Sequence, residues 1–191
     1  MTCMLVSGMG VRVIGKKISP KAVPEPIDRD RQKMQALAAF TARSLGTSTP
    51  RPFGAAIVHS QSGKVLLRAL NRVAQEHDPT SHAEVRAVRL ATRRLRQLPL
   101  AGFTLYTTCE PCPMCMSAIL WAGLDRVVYS ATIEDANRHC NQIRIPATEV
   151  ASRSDMSCTV SGPLLREECY GLFTHPNMLR AFRSWSTRKR T

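Results

Sequence analysis

No stretch of this sequence is apolar for long enough to cross a bilayer as a helix, so no membrane-spanning helix and no membrane partner are expected. Met1 to Gly15 is mildly apolar but lacks the basic start, compact apolar centre and small-residue cleavage site of a secretory leader. It is expected to be a weakly structured extension. Acid is in short supply: 14 Asp and Glu face 27 Lys and Arg, a formal charge of +13. Such a balance attracts polyanions and brings RNA or DNA into view as substrate or partner, without establishing either. The seven cysteines are odd in number, and three crowd into Cys109 to Cys115. This is no disulfide framework. It reads as metal chemistry in a reducing compartment, with the cytoplasm as the expected location. No internal repeat is visible, and 191 residues suit one domain with some extension.

What the chain does have is Ser81-His82-Ala83-Glu84 and, downstream, Pro111-Cys112-Pro113-Met114-Cys115. One imidazole and two thiolates, from His82, Cys112 and Cys115, supply three ligands of the kind zinc takes; three protein ligands leave the fourth tetrahedral position for a water or hydroxide. Asp78 to Ser81 is rich in cap and turn formers, and Val85, Val88, Ala91 and Leu95 then recur at helical spacing. Pro111 and Pro113 suit a first helical turn. Both halves of the motif therefore fall at helix starts. Three residues of separation put the two cysteines on one side of their helix, and the helix N-terminus favours thiolate. Glu84 is not needed as a ligand and can act as a general base and acid beside the metal, which is metal-assisted hydrolysis in outline. Two plainer readings stand beside this one. Cys109 could complete a closed structural zinc site, or Cys112 and Cys115 could be a redox pair.

The remaining elements follow from pattern. Residues 1–27 form a Pro- and Lys-bearing lead, 28–185 the expected domain and 186–191 a basic tail. Met34, Leu37, Ala38, Thr41 and Leu45 make a helical stripe beginning near Asp28 and ending at Gly46. Phe53–His59 and Lys64–Leu70 read as a hairpin across Ser60–Gly63, closed by Asn71. A helix is expected from His82 to about Gln97; its Arg86, Arg89, Arg93 and Arg96 form a basic stripe that is either solvated surface or a track for phosphates. Strands are expected at Phe103–Thr108 and Arg126–Ser130, with the cysteine helix between them and a last strand around Cys158–Val160. Helices are expected through Cys169 and Leu172 and again from Asn177 to Trp185, whereas residues 131–155 show no period. The alternation predicts an α/β fold, a three-layer α/β/α sandwich with a mostly parallel five-stranded sheet, whose ligands bind beyond the carboxyl ends of the strands.

Pro52-Phe53-Gly54-Ala55, Asn71, Asp78 to Glu84 and Cys109-Glu110-Pro111-Cys112-Pro113-Met114-Cys115 together resemble the cytidine-deaminase superfamily, in the branch holding guanine deaminases and tRNA adenosine deaminases. The resemblance implies a cytidine-deaminase-like fold, one Zn2+ per chain on His82, Cys112 and Cys115, and proton transfer by Glu84. It further implies substrate contacts from Asn71, Ala83, Phe53 and Trp121, and a homodimer packed across the cysteine-bearing helices. The implied activity is that of a hydrolase acting on C–N bonds of cyclic amidines. A free nucleobase or nucleoside, purine type and guanine-like, is the first expected substrate; an anticodon-loop adenosine of tRNA is the second; a non-catalytic zinc module binding nucleic acid is the third reading. The chain lacks the Gly-Phe-Asp-Asp run of guanine deaminases and has Asn137, His139, Cys140, Asn141 and Gln142 in that region.

Overall fold

The computed structural model describes residues 26–186, so the expected extension up to residue 25 and the tail from 187 lie outside the described residues. In order, the elements are α1 (Pro26–Ala42), β1 (Gly54–His59), β2 (Val65–Leu70), α2 (Val73–Glu76), α3 (Ala83–Leu95), β3 (Phe103–Cys109), α4 (Pro113–Trp121), β4 (Arg126–Ala131), α5 (Ile133–Asn137), α6 (Ala147–Ser152), β5 (Thr159–Ser161), α7 (Arg166–Thr174) and α8 (Pro176–Ser186). The sheet order is β2-β1-β3-β4-β5.

Side chains of a strand alternate between faces, and here each face has its own core. Ala55, Ile57, Leu105 and Val127 point toward α3 and α4, joined by Ala87, Ala91, Met116 and Ile119. Ala56, Val58, Tyr106 and Val128 point the other way, against Met34 and Leu37 of α1 and Cys169 and Phe173 of α7. Two apolar faces need two covers, which gives the three layers. The expected stripe on α1 is the buried one, Met34, Leu37 and Thr41 being fully enclosed. The helix itself stops at Ala42 and the chain reaches Leu45 through turns.

The expected mostly parallel sheet is met in part. The sheet is mixed: β1 runs antiparallel to both β2 and β3, while β3, β4 and β5 are parallel. The tight hairpin sets β1 against β2, which runs with β3, and the long crossovers through α4 and through α5–α6 keep β3, β4 and β5 in that one direction. The carboxyl end of β3 therefore coincides with the amino end of β1. Pro52 to Gly54 thus lies beside Thr107 and Thr108, and the Thr108 hydroxyl both accepts from Gly54 N (3.0 Å) and donates to Pro52 O (3.0 Å).

Gly54 shows how tightly α1 sits on this edge, because a Cβ there would collide with the Oγ1 of Thr41, itself bonded to Leu37 O. Gly54→Ala should destabilise the fold by about 1–3 kcal/mol through overpacking. A lowered thermal midpoint is the expected readout, and an unchanged one would refute the close approach.

Residues 131–155, unreadable by period, hold α5 and α6. Thr132 caps α5 in a reciprocal capping box with Asp135. Asp135 is fully buried and also takes a two-pronged bond from Arg166 of α7, at 2.8 and 2.6 Å. Burial alone would raise its pKa; the Arg166 and Thr132 hydrogen bonds outweigh that and hold it below the ordinary carboxylate value.

Candidate active site

The loop before α3 is built by its own polar residues. Asp78 accepts from the N–H and hydroxyl of Thr80 (2.8 and 2.7 Å), and the buried Ser81 hydroxyl donates to Glu76 at 2.5 Å and to Asp78 at 3.1 Å. This Asx-turn arrangement fixes the backbone entering the helix. His82 is the N-cap of α3 and Cys112 the N-cap of α4, with nearly the same extended dihedrals (φ −66°, ψ 155° and φ −63°, ψ 166°). Two helix N-termini thus face one point, with Pro113 at the start of α4 as its sequence suggested.

At that point His82, Cys112 and Cys115 offer ligand atoms that all lie within 4.8 Å of one another, the one such group of three or more among the described residues. The His82 Nδ1 is 3.7 Å from Cys112 Sγ and 3.4 Å from Cys115 Sγ. A tetrahedral zinc with ordinary Zn–N and Zn–S bonds sets a nitrogen–sulfur edge of about 3.6 Å. The donor set therefore fits zinc in kind, number and spacing. Cys109 stays out of it: its thiol donates to Thr132 O at 3.7 Å on the opposite face of β3, which argues against the closed four-ligand site. Replacing Cys109 by Ala should leave one zinc per chain by metal analysis; loss of the metal would restore the closed reading.

Electrostatics within the cluster are unequal. The hydrogen bond from Cys115, opposed by burial and helped by His82, holds Cys112 down to about 4, and the matching thiol of Cys115 is pushed up. Cys112 is thus thiolate at neutral pH, the form a metal binds. Glu84, in the first turn of α3, is 5 % exposed and sits beside the cluster rather than in it. Its Oε1 accepts from Thr107 Oγ1 (2.8 Å), and Oε2 lies 3.5 Å from Cys115 Sγ. Burial raises its pKa from the ordinary carboxylate value, with His82 and Thr107 pulling the other way. A carboxyl so placed, next to a metal with a free corner, can accept and return a proton.

The other expected site residues scatter. Ala83 is fully buried at the first position of α3, where helix N–H groups have no partner within the helix. Asn71 N donates to Phe53 O (3.0 Å), and Asn71 Oδ1 accepts from Val73 N (3.2 Å), so the two expected substrate residues are joined at one sheet end. Phe53 rests on Phe173, ring centres 5.3 Å apart. Trp121 is not brought to the cluster: six residues beyond Cys115, about 9 Å along the helix axis, it stands 74 % exposed. It lines a groove of about 620 Å3 with Ile145, Val150 and Met156.

Sequence reasoning missed Thr107, Thr108 and Glu110. Thr107 orients Glu84 and Thr108 clamps Pro52 to Gly54; a pair of hydroxyls ending an otherwise apolar strand just before the cysteines was the available signal. The buried Glu110 carboxylate accepts from Ile133 N (3.1 Å) and Ala147 N (3.0 Å), the first residues of α5 and α6.

An α/β/α sandwich with a three-ligand zinc-type site between two helix N-termini, and a buried carboxyl beside it, defines a class of hydrolytic metal site. The cytidine and deoxycytidylate deaminase zinc-binding region matches residues 28–131, and the chain belongs to this family. It is 47 % identical over 85 residues to the guanine deaminase of Bacillus subtilis, covering 44 % of this chain and 53 % of that protein. To the tRNA-specific adenosine deaminase of Agrobacterium fabrum it is 40 % identical over 102 residues, covering 53 % and 66 %. The matched stretches thus span from about half to two thirds of these relatives. Among solved structures, a tRNA deaminase studied for A-to-I editing at the wobble position superposes with TM-score 0.63 at 31 % identity, over 74 % of this chain and 99 % of that one. The Bacillus subtilis guanine deaminase superposes with TM-score 0.51 at 29 % identity, over 86 % and 96 %.

Proposed function

We propose that this chain is a zinc-dependent hydrolytic deaminase of a nucleobase or nucleoside, purine type favoured and guanine-like, releasing ammonia. The observation that carries the reading is Glu84: a buried carboxyl held by Thr107 beside, and not within, the His82–Cys112–Cys115 ligand set. A zinc ion held by those three residues would supply Lewis acidity and an activated water at the carbon bearing the amino group. Glu84 accepts the proton that the attacking water loses and passes it to the neighbouring ring nitrogen. It then helps protonate the departing amine, so that the C–N bond breaks, a C=O forms and ammonia leaves. Its raised pKa suits a group that must both take and give a proton. Asn71 and the Ala83 backbone N–H orient the ring, and Phe53 supplies an apolar wall. The guanine deaminase relative supports the purine preference.

A second reading is deamination of an anticodon-loop adenosine in tRNA, supported by the wobble-position deaminase and by the charge of +13. Association of two copies across α4 is part of the proposal, and the exposed Trp121 and Ile145 support it. Among the described residues no helix is long and apolar enough to cross a membrane.

The test is an ammonia-release screen of zinc-loaded protein over free bases, nucleosides, nucleotides and tRNA. Turnover of a purine base or nucleoside is the expected result. Inosine formed only in tRNA would select the second reading, and no release from any substrate would leave a zinc module without catalysis.

A further inference from the structure

Residues 72–81 join Asn71, which follows β2, to His82, the N-cap of α3. Both ends of that connection belong to the candidate site, so its shape sets how the proposed ring contact stands against the ligand set. Its tightest point is His77, a non-glycine residue in the left-handed region (φ 49°, ψ 34°). A side chain disfavours that conformation, which persists where surrounding contacts enforce it.

Those contacts converge on two side chains. Arg86 lies one turn after His82 on α3, and its side chain is only 15 % exposed. It reaches two places at once: Nη1 donates to Leu70 O at 2.7 Å, and Nε lies 3.3 Å from Glu76 Oε1. Glu76 ends α2, and its other oxygen accepts from the fully buried Ser81 hydroxyl at 2.5 Å. One guanidinium thus grips the strand end beside Asn71, and one carboxylate grips the residue before His82. Glu76 faces solvent, so its hold comes more from the Ser81 hydrogen bond than from ion pairing, which solvent weakens. Backbone bonds close the figure, from Arg72 N to Ser81 O (2.9 Å) and from Asn71 N to Phe53 O (3.0 Å). The planar guanidinium suits this place because it carries several donors in a fixed fork, enough for a carbonyl and a carboxylate together.

We infer that Arg86 and Glu76 are a positioning pair that fixes Asn71 against His82 and Glu84, and so sets the gap into which the substrate ring fits. Neither side chain is placed at the reacting atoms, and both act through the residues they hold. Their effect on turnover rests on the proposed deaminase reading, whereas their effect on the connection rests on the contacts alone. A misplacement of about 1 Å caused away from the chemistry can cost on the order of 100-fold in rate.

The experiment compares zinc-loaded wild type with Arg86→Gln, Arg86→Lys, Glu76→Gln and Asn71→Ala; thermal midpoint and zinc content verify each protein. Arg86→Lys keeps the charge but brings a single ammonium to two acceptors. The first readout needs no substrate. Exchange of the Asn71, Arg72 and Val73 amides, followed by NMR, should quicken about 10-fold or more in both Gln variants while the amides of β3 keep their protection. The second readout is kinetic, on whichever substrate the ammonia-release screen selects. At unchanged zinc content kcat/KM should fall about 10- to 100-fold in the Gln variants, with kcat carrying most of the loss and Arg86→Lys recovering part of it. In an Asn71→Ala background Arg86→Gln should cost less than about 3-fold more, because the residue it acts through is already gone. The same fold loss in both backgrounds would make Arg86 a structural residue only and overturns the inference; so does unchanged exchange at residues 71–73 in both Gln variants. Should a Gln variant fail to fold, Arg86→Lys alone and combined with Asn71→Ala carries both readouts. If the screen finds no substrate, the deaminase reading fails there and the exchange measurement by itself decides the pair.

Discussion

Glu84→Gln is expected to keep one zinc per chain and lose about 10²- to 10⁴-fold in kcat, the range general acid–base groups supply. Retention follows because the three ligand atoms come from His82, Cys112 and Cys115, with Glu84 outside the set. The loss follows because an amide in the same place can hold the Thr107 hydroxyl but can neither accept nor return a proton. The sign of the pH dependence is also set. Burial raises the Glu84 pKa, so a reaction that needs it ionised should fail on the acid side at a pH above that of an ordinary exposed carboxylate. Thr107 opposes that rise, and Thr107→Val should therefore move the acid limb to still higher pH with Glu84 in place. Metal analysis and pH–rate profiles of both variants check the account. A Glu84→Gln protein that turns over substrate at the wild-type rate would refute it, and one that loses its zinc would make the carboxyl a ligand instead.

The parts legible in the sequence are those whose determinants are local. His82 and Cys112 sit at helix N-caps because cap formers and prolines immediately precede or follow them. The two cores appear in the alternation of β1, Ala55 and Ile57 against Ala56 and Val58, which needs six residues to recognise. What was illegible depends on distant partners. The reversal of β1 against β3 requires Pro52 to Gly54 to meet Thr108, more than fifty positions away. The basic stripe on α3 looked uniform, yet it is divided by use: Arg86 folds back on Leu70 and Glu76, Arg89 reaches Asp78 and Thr80, and Arg93 and Arg96 are exposed. Helical spacing alone cannot tell a structural arginine from a solvated one. Trp121 fared similarly. Its identity fits both a packed aromatic and a contact residue, and only the length of α4 places it at the far end, away from the cysteines.

Residues 131–155 are the largest such gap, and a single side chain explains why, with a large expected effect. Glu110 stands between β3 and the cap of α4, and its two oxygens each accept the first N–H of a short helix, Ile133 of α5 and Ala147 of α6. Neither helix exceeds two turns, and helices so short are not stable by propensity. Period and composition in 131–155 therefore had little to report, because the order is supplied from outside the segment. Glu110→Ala leaves two backbone donors without their acceptors, one in a fully buried residue and one nearly so. Hydrogen bonds to charged acceptors of this kind are worth roughly 1.5–3 kcal/mol each, which puts the loss at about 3–5 kcal/mol after partial overlap. Glu110→Gln keeps one acceptor oxygen and turns an N–H against the other donor, so it should recover little of the difference. Urea unfolding gives the magnitude, and hydrogen exchange gives the location: amides at the starts of α5 and α6 should lose protection ahead of those in β1 and β3. Because Glu110 lies two residues before Cys112, zinc affinity should fall in the same variant while the Glu84 carboxyl is untouched. A Glu110→Ala protein within about 0.5 kcal/mol of wild type, the scale of an ordinary surface substitution, would mean that the segment is ordered by its packing on α4 and not by this carboxylate.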